Sequence, residues 1–185
     1  FWQKFSPAVI SHARDVVGIK HFTMFGEVYS GDPRLLSFYT TTAGIPSVLD
    51  FGFQAAAASV VAANGKAGTM NELFALDDMY NDADSSANQL MNFLGNHDMG
   101  RFGKFLKDGG TTQDAELLAR YKLANGLMFF SRGVPVIYYG DEQGFTGAAG
   151  GDQNARQTLF ASQVGDYLDD DLLGTSRTHA QDNFE

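Results

Sequence analysis

Within Phe5 to Val17 the apolar residues Val9, Ile10, Ala13 and Val17 recur at the spacing of one helix face, and Gly18 follows as a stop. The chain then changes character. Ile19 to Tyr29 is dense in apolar and aromatic residues through His21-Phe22-Thr23-Met24-Phe25, which predicts a buried strand running into Gly26-Glu27. A short helix is expected over Leu35 to Thr42, and beyond the breaker Gly44-Ile45-Pro46 the run Ser47-Val48-Leu49-Asp50-Phe51 is a second strand candidate. Alanine content makes Gln54 to Ala63 helical, and Asn71 to Tyr80 holds a further helix. Leu90-Met91-Asn92-Phe93-Leu94, a third strand candidate, runs into Gly95-Asn96-His97-Asp98. Thr111 or Thr112 can cap the next helix, where Leu117, Tyr121, Ala124 and Met128 line one face before Arg132-Gly133 ends it. A fourth strand, Val134-Pro135-Val136-Ile137-Tyr138-Tyr139, follows at once.

Four strands separated by helical segments predict parallel βα units with both faces of the sheet covered. The remaining stretch, Gly144 to Glu185, is rich in Gly and Asp, with a helical patch expected around Arg156 to Tyr167. No Pro/Ser linker and no short-period repeat divides residues 1–185, so they read as one partial domain. The opening on Phe1 and the end at Asn183-Phe184-Glu185, with no closing element, point to a piece of a longer polypeptide.

Composition narrows the functional classes. An apolar content of 44% with 13% aromatics is that of a core-forming chain. Twenty-two acidic against thirteen basic residues give a formal charge of −9, and no Lys/Arg run offsets it, so nucleic acid is not an expected partner. The absence of cysteine excludes disulfides, thiol nucleophiles and cysteine-ligated metals. The alanine-rich stretch Ala55 to Ala63 is far shorter than the roughly 18 residues of a membrane span, and Phe1-Trp2-Gln3-Lys4 does not read as a signal peptide. No membrane association is expected from these residues.

Three of the four strand candidates end in a polar residue beside glycine or a turn: Glu27 after Gly26, Asp98 after Gly95-Asn96-His97, and Asp141-Glu142 after Gly140. That end of a parallel sheet is where ligands and catalytic groups gather, although strand-end carboxylates also cap helices. Two carboxylates facing one site, with a histidine beside one, suit acid/base work on a sugar acetal. They would equally suit a divalent cation with oxygen ligands. A phosphate loop, a dinucleotide fingerprint and a serine nucleophile elbow are all missing. Gly147-Ala148-Ala149-Gly150-Gly151 lacks the Lys-Ser/Thr that would hold a nucleotide and reads as a flexible loop, while Asp169-Asp170-Asp171 reads as a solvated acidic face.

Phe25-Gly26-Glu27-Val28-Tyr29, Phe93-Leu94-Gly95-Asn96-His97-Asp98 and Gly133-Val134-Pro135-Val136-Ile137-Tyr138-Tyr139-Gly140-Asp141-Glu142 resemble, in order, motifs on the fifth, seventh and eighth barrel strands of the α-amylase family of glycoside hydrolases. Ser47-Val48-Leu49-Asp50-Phe51 looks like the sixth, so the similarity spans essentially the whole chain. The resemblance implies a (β/α)8 TIM barrel. Such a barrel takes roughly 250 residues, and this chain would supply about its C-terminal half.

The resemblance also implies roles. Glu27 matches the general acid/base, Asp98 the carboxylate that steadies the transition state, and His97 a neighbour that donates to the same sugar ring. Asp152 and Arg156 resemble a pair that holds an adjacent glucose unit, though four-residue spacing is equally that of a plain helix salt pair. Tyr138 and Tyr139 are expected as core on one side, with one at most stacking on a sugar. The family's nucleophilic aspartate, on the fourth strand with an arginine two residues before it, would lie upstream of Phe1. Calcium, where the intact enzyme binds it, would take most of its ligands from outside this chain. The implied activity is hydrolysis of α-glucosidic bonds in starch-like glucans or malto-oligosaccharides, a substrate that favours an extracellular or periplasmic setting. Transglycosylation on the same framework and a non-catalytic glycan-binding relative are the alternatives, and retention of Glu27 and Asp98 argues against the second.

Overall fold

The apolar runs do line up side by side, all in one direction. In the computed structural model, which describes residues 1–147, 151–159, 171–173 and 177–178, Gly26 bridges Val48 and Leu49 bridges Met91, both in parallel. Strand β1 (Met91–Asn92) pairs in parallel with β2 (Val134–Pro135) in the register Met91 to Val134. The hydrogen bonds run from Gly26 N to Ser47 O at 2.9 Å, from Met91 N to Val48 O at 3.0 Å and from Val134 N to Leu90 O at 2.7 Å. Four neighbours thus follow in chain order, each step crossed by helices, as a parallel sheet requires.

Pairing is confined to one or two residues per step, for local reasons. Asp50 turns the chain directly into α3 (Phe51–Ala57) by accepting from Phe53 N at 2.8 Å. Pro135 has no N–H to donate. The run from Ile19 to Tyr29 is not the buried strand its apolar density predicted: Gly26 is its paired residue, while Ile19, Phe22 and Phe25 are exposed. Apolar density produces burial in a parallel sheet only where neighbours cover both sides, and among the described residues this segment has Val48 on one side alone.

The helices follow the periodicity more faithfully. Helix α1 (Trp2–His12) continues through a π-helical turn to Val17 and ends on Gly18 in the left-handed region. Helix α2 (Pro33–Ser37) starts on the Asp32 cap and runs on to Thr42, and α3 runs on to Ala62. The expected helix over Asn71 to Tyr80 is two pieces, α4 (Gly68–Phe74) and a 3₁₀ turn at Asp77–Tyr80. Helix α5 (Phe102–Asp108) carried no separate sequence signal. Helix α6 (Asp114–Phe130) buries the stripe Leu117, Tyr121, Ala124 and Met128, but its cap position is Gln113 rather than a threonine, and Thr111 is buried. Asp114 and Glu116 in its first turn complement the helix dipole instead. Helices α3, α5 and α6 share one core around Phe53, Val61, Leu94, Phe102 and Leu106.

Beyond β2 the chain forms the short helix α7 (Gly151–Asn154), with Arg156 just past it. An antiparallel pair, β3 (Asp171–Leu172) with β4 (Arg177–Thr178), follows. Most of the helical patch expected over Arg156 to Tyr167, the centre of the glycine-rich loop and most of the Asp169-Asp170-Asp171 run lie outside the described residues. No described helix is long and apolar enough to cross a membrane.

Candidate active site

The exit of β1 is shaped by side-chain size and hydrogen bonding. Asn96 and Gly100 exchange backbone hydrogen bonds of 3.2 and 3.1 Å, closing a tight turn over His97, Asp98 and Met99. The Asn96 Oδ1 accepts from Asp98 N at 3.0 Å and Met99 N at 2.8 Å, the local bonding for which asparagine is favoured in turns. A Cβ on Gly95 would stand 2.4 Å from Gly100 O, so the motif needs glycine before its asparagine. His97 and Asp98 are thereby turned to solvent.

Two ionisable neighbours meet Asp98 directly, and a third lies behind one of them. The Asp98 Oδ2 lies 3.3 Å from His97 Nε2, and its Oδ1 accepts from Arg156 Nη2 at 3.2 Å. Arg156 also faces Asp152 at 3.9 Å. The structure therefore brings together four of the five residues singled out in the sequence. The Asp152–Arg156 spacing is not that of a pair on one helix, since Arg156 lies beyond the end of α7; its guanidinium reaches both carboxylates and lies nearer to Asp98. All four side chains are between 43% and 52% exposed, so their pairing adds little stability and their polar atoms stay open to a ligand.

Glu27 stands one residue beyond the Gly26–Val48 bridge, at the same carboxyl end of the parallel array. It is exposed, not sunk at the end of a buried strand, because the run before it is itself uncovered. Among the described residues no hydrogen bond or ion pair ties it to the Asp98 cluster.

Under the cluster lies a buried pair that sequence reasoning missed on one side. Arg101, wholly buried, donates to Asp141 Oδ1 at 2.9 Å and to the Tyr139 carbonyl. Its guanidinium carbon sits 4.1 Å from the centre of the Tyr138 ring and 5.2 Å from that of Phe145, both favourable cation–π placements. Burial pushes the Asp141 carboxyl up to about 6, outweighing the adjacent Arg101 charge. The Tyr121 hydroxyl, itself raised by burial, donates to the Asp141 carbonyl at 2.8 Å. Of the strand-end pair Asp141-Glu142, the first is thus an interior anchor and the second accepts from Gly140 N at 2.9 Å. Tyr138 is half-buried against Arg101, its hydroxyl pushed up to about 12 chiefly by desolvation, while Tyr139 is partly exposed. No sequence pattern marks Arg101, whose hydrogen-bond partners lie 38 and 40 residues further along the chain.

A cavity of about 410 Å³ bounded by Gln3, Ser6, Thr40, Gly44, Pro46 and Asp84 shares no residue with this cluster. Most of its polar side chains are engaged locally, as in the 2.7 Å bond from Gln3 Nε2 to Thr42 O. Among the described residues no group of three or more His, Asp or Glu side chains could hold a metal ion.

Comparison with known proteins gives a consistent result. The family model "Alpha amylase, catalytic domain" matches residues 1–181. An α-amylase of Streptomyces lividans is 50% identical over 186 residues, covering 100% of this chain and 20% of its own length. A cyclomaltodextrin glucanotransferase of Thermoanaerobacterium thermosulfurigenes is 32% identical over 173 residues, covering 90% of this chain and 21% of its own. The chain thus spans about a fifth of the length of these curated relatives. Among solved structures, an Anoxybacillus α-amylase superposes with a TM-score of 0.69 at 25% identity, over 84% of this chain and 31% of that one. The Geobacillus thermoleovorans α-amylase complexed with acarbose gives 0.64 at 28% identity, over 78% and 31%.

Proposed function

Because the chain belongs to the α-amylase catalytic-domain family and forms part of that family's (β/α)8 barrel, we propose that the protein carrying it is a retaining glycoside hydrolase acting on α-glucosidic bonds of starch-like glucans or malto-oligosaccharides. The observation that supports this most directly is Asp98, presented on a strand-exit turn with His97 and Arg156 on its two oxygens, at the end of the sheet where Glu27 also stands.

In this reading Glu27 protonates the leaving glycosidic oxygen as its bond to the anomeric carbon breaks. It then takes the proton of the water that attacks the glycosyl-enzyme. Asp98 accepts from hydroxyls of the reacting sugar and stabilises the positive charge that develops on the ring. His97 donates to the same ring. Arg156 and Asp152 hold a neighbouring glucose unit, donor and acceptor side by side. The nucleophilic carboxylate comes from outside these 185 residues, as would most ligands of any bound calcium, and no step here runs through a metal. The acarbose complex of the Geobacillus relative supports an oligosaccharide-like ligand.

The deciding experiment is Glu27→Gln in the full-length protein. Turnover of soluble starch should fall by about 10²- to 10⁴-fold, the range of a lost general acid. An α-glucosyl fluoride, whose leaving group needs little acid help, should still form the glycosyl-enzyme, and added azide should release it as a glycosyl azide. Unchanged starch turnover would sink the assignment. A second reading, transfer to a sugar hydroxyl in place of water, is favoured by the glucanotransferase relative. Longer or cyclic oligosaccharides accumulating from maltoheptaose would identify it.

A further inference from the structure

Arg101 follows directly on the exposed turn that carries His97 and Asp98, yet it is completely buried. Enclosing a guanidinium and a carboxylate costs several kcal/mol of desolvation in general, and such pairs are often replaceable by apolar residues without loss of stability. Stability alone therefore gives no account of this pair. Its geometry does.

Each anchor of Arg101 belongs to the exit of the strand beside β1. The Asp141 carboxylate, the Tyr139 carbonyl and the Tyr138 ring face all lie there, and Tyr121 of α6 fixes Asp141 from behind through its carbonyl. On the other side, Arg101 is the residue after Gly100, whose backbone closes the turn onto Asn96. Its stem also abuts the segment leading to α7, since a Cβ on Gly147 would stand 3.2 Å from Arg101 Cγ and 2.9 Å from Asn154 O. The pair thus sits where the turn bearing Asp98, the strand exit bearing Tyr138 and the segment bearing Asp152 and Arg156 meet.

We propose that Arg101 and Asp141 are positioning residues for the reaction: their buried pair locks the Asp98 turn to the neighbouring strand exit, so that the Asp98 carboxylate meets the reacting sugar in the geometry its transition state needs. The proposal rests on the role given to Asp98 above, and its magnitude follows from positioning, since a shift of about 1 Å can cost about 100-fold in rate.

The test replaces the pair in the full-length protein by the apolar double variant Arg101→Met with Asp141→Leu, which leaves no unpaired charge behind. The variant should fold with a near-wild-type near-ultraviolet spectrum, while kcat on soluble starch falls about 10- to 100-fold and KM stays within about threefold. Amide hydrogen exchange over residues 96–100 should quicken at the same time. In an Asp98→Asn background the double variant should lower kcat no further. A folded double variant with wild-type kcat and unaltered exchange overturns the proposal and leaves the pair as packing alone. Where the double variant fails to fold, Arg101→Lys decides by the same two measurements, because it keeps the charge and loses the planar fork. Absence of starch turnover in the wild-type protein strikes instead at the functional reading, and the exchange measurement still reports on the pair.

Discussion

Asp98 gives its two oxygens to different neighbours, Oδ2 to His97 and Oδ1 to Arg156, and this division makes distinct outcomes expected at Arg156 and Asp152. Among the described residues Asp152 touches Arg156 at 3.9 Å and no closer charge, so Asp152→Ala should raise KM on a long glucan with little change in kcat. Arg156→Ala removes a partner of Asp98 as well, so kcat should fall along with the rise in KM, by roughly tenfold for a lost charge-assisted hydrogen bond. Steady-state kinetics of the two variants separate the cases; equal effects on both constants at both positions would mean that the pair acts as one unit. Stability should move by less than about 1 kcal/mol in either variant, because the groups are half-exposed. Asp141 behaves oppositely, as an interior acid. Its folded-state pKa of about 6 lies above the ordinary 3.8, so the folded chain keeps a proton that the unfolded chain has released. The stabilisation that proton provides is complete below about pH 4 and is lost as pH rises through 6. Urea unfolding of the full-length protein should therefore show wild type losing stability relative to Asp141→Asn between pH 4 and 7, on the order of 2 kcal/mol. A difference that is flat across that window would show that the carboxyl is ionised throughout. At this scale the motif residues were legible because turn chemistry is local: glycine, asparagine, histidine and aspartate in sequence dictate the turn that displays them. Arg101 was not, since its partners stand about forty residues away.

Elements are joined by a second buried charge cluster. Arg132, at the end of α6, donates to Asp50 Oδ2 at 2.6 Å, to Asp77 Oδ1 at 2.9 Å and to Asn92 Oδ1 at 3.1 Å. Asp50 is fully buried and also caps α3, so one carboxylate fastens the start of one helix to the end of another and to β1. Burial raises the Asp77 carboxyl in the same cluster, Arg132 opposing it. Asp50→Ala removes the cap and leaves Arg132 short of its closest partner, and about 3–5 kcal/mol of stability should go with it. Chemical denaturation of the full-length protein measures this; a loss below about 1 kcal/mol would show that Asp77 and Asn92 hold Arg132 unaided. Asp50 was read in the sequence only as part of a strand candidate. The stripe on α6 was read in full, because a helix face is a property of consecutive residues, whereas the end of each strand was set by contacts with other elements.

At the scale of the molecule, the parallel array leaves apolar surface along both margins: Ile19, Phe22 and Phe25 on the first segment, and Val134, Ile137, Phe129 and Phe130 about the last. The 185-residue chain produced alone should self-associate through those margins, as uncovered strand edges do, and should turn over no starch for want of a nucleophile. Sedimentation and an amylase assay on the purified chain check both; a cooperatively melting, active monomer would refute them. The order of the four parallel strand segments, the α6 core face, the glycines and polar groups of the strand-exit turn and the resemblance to a barrel family were determined by the sequence alone, whereas α5 and the β3–β4 pair were not. Each of the former rests on periodicity, turn chemistry or a motif, which are written in neighbouring residues. The tertiary structure alone decided which apolar runs become buried, that Arg156 reaches Asp98 across the site, and that Asp141 is an interior anchor of Arg101 while Glu27 stands in solvent. Burial and charge pairing are properties of what packs against a residue, and for Arg101, Asp141 and Glu27 that surface comes from distant parts of the chain.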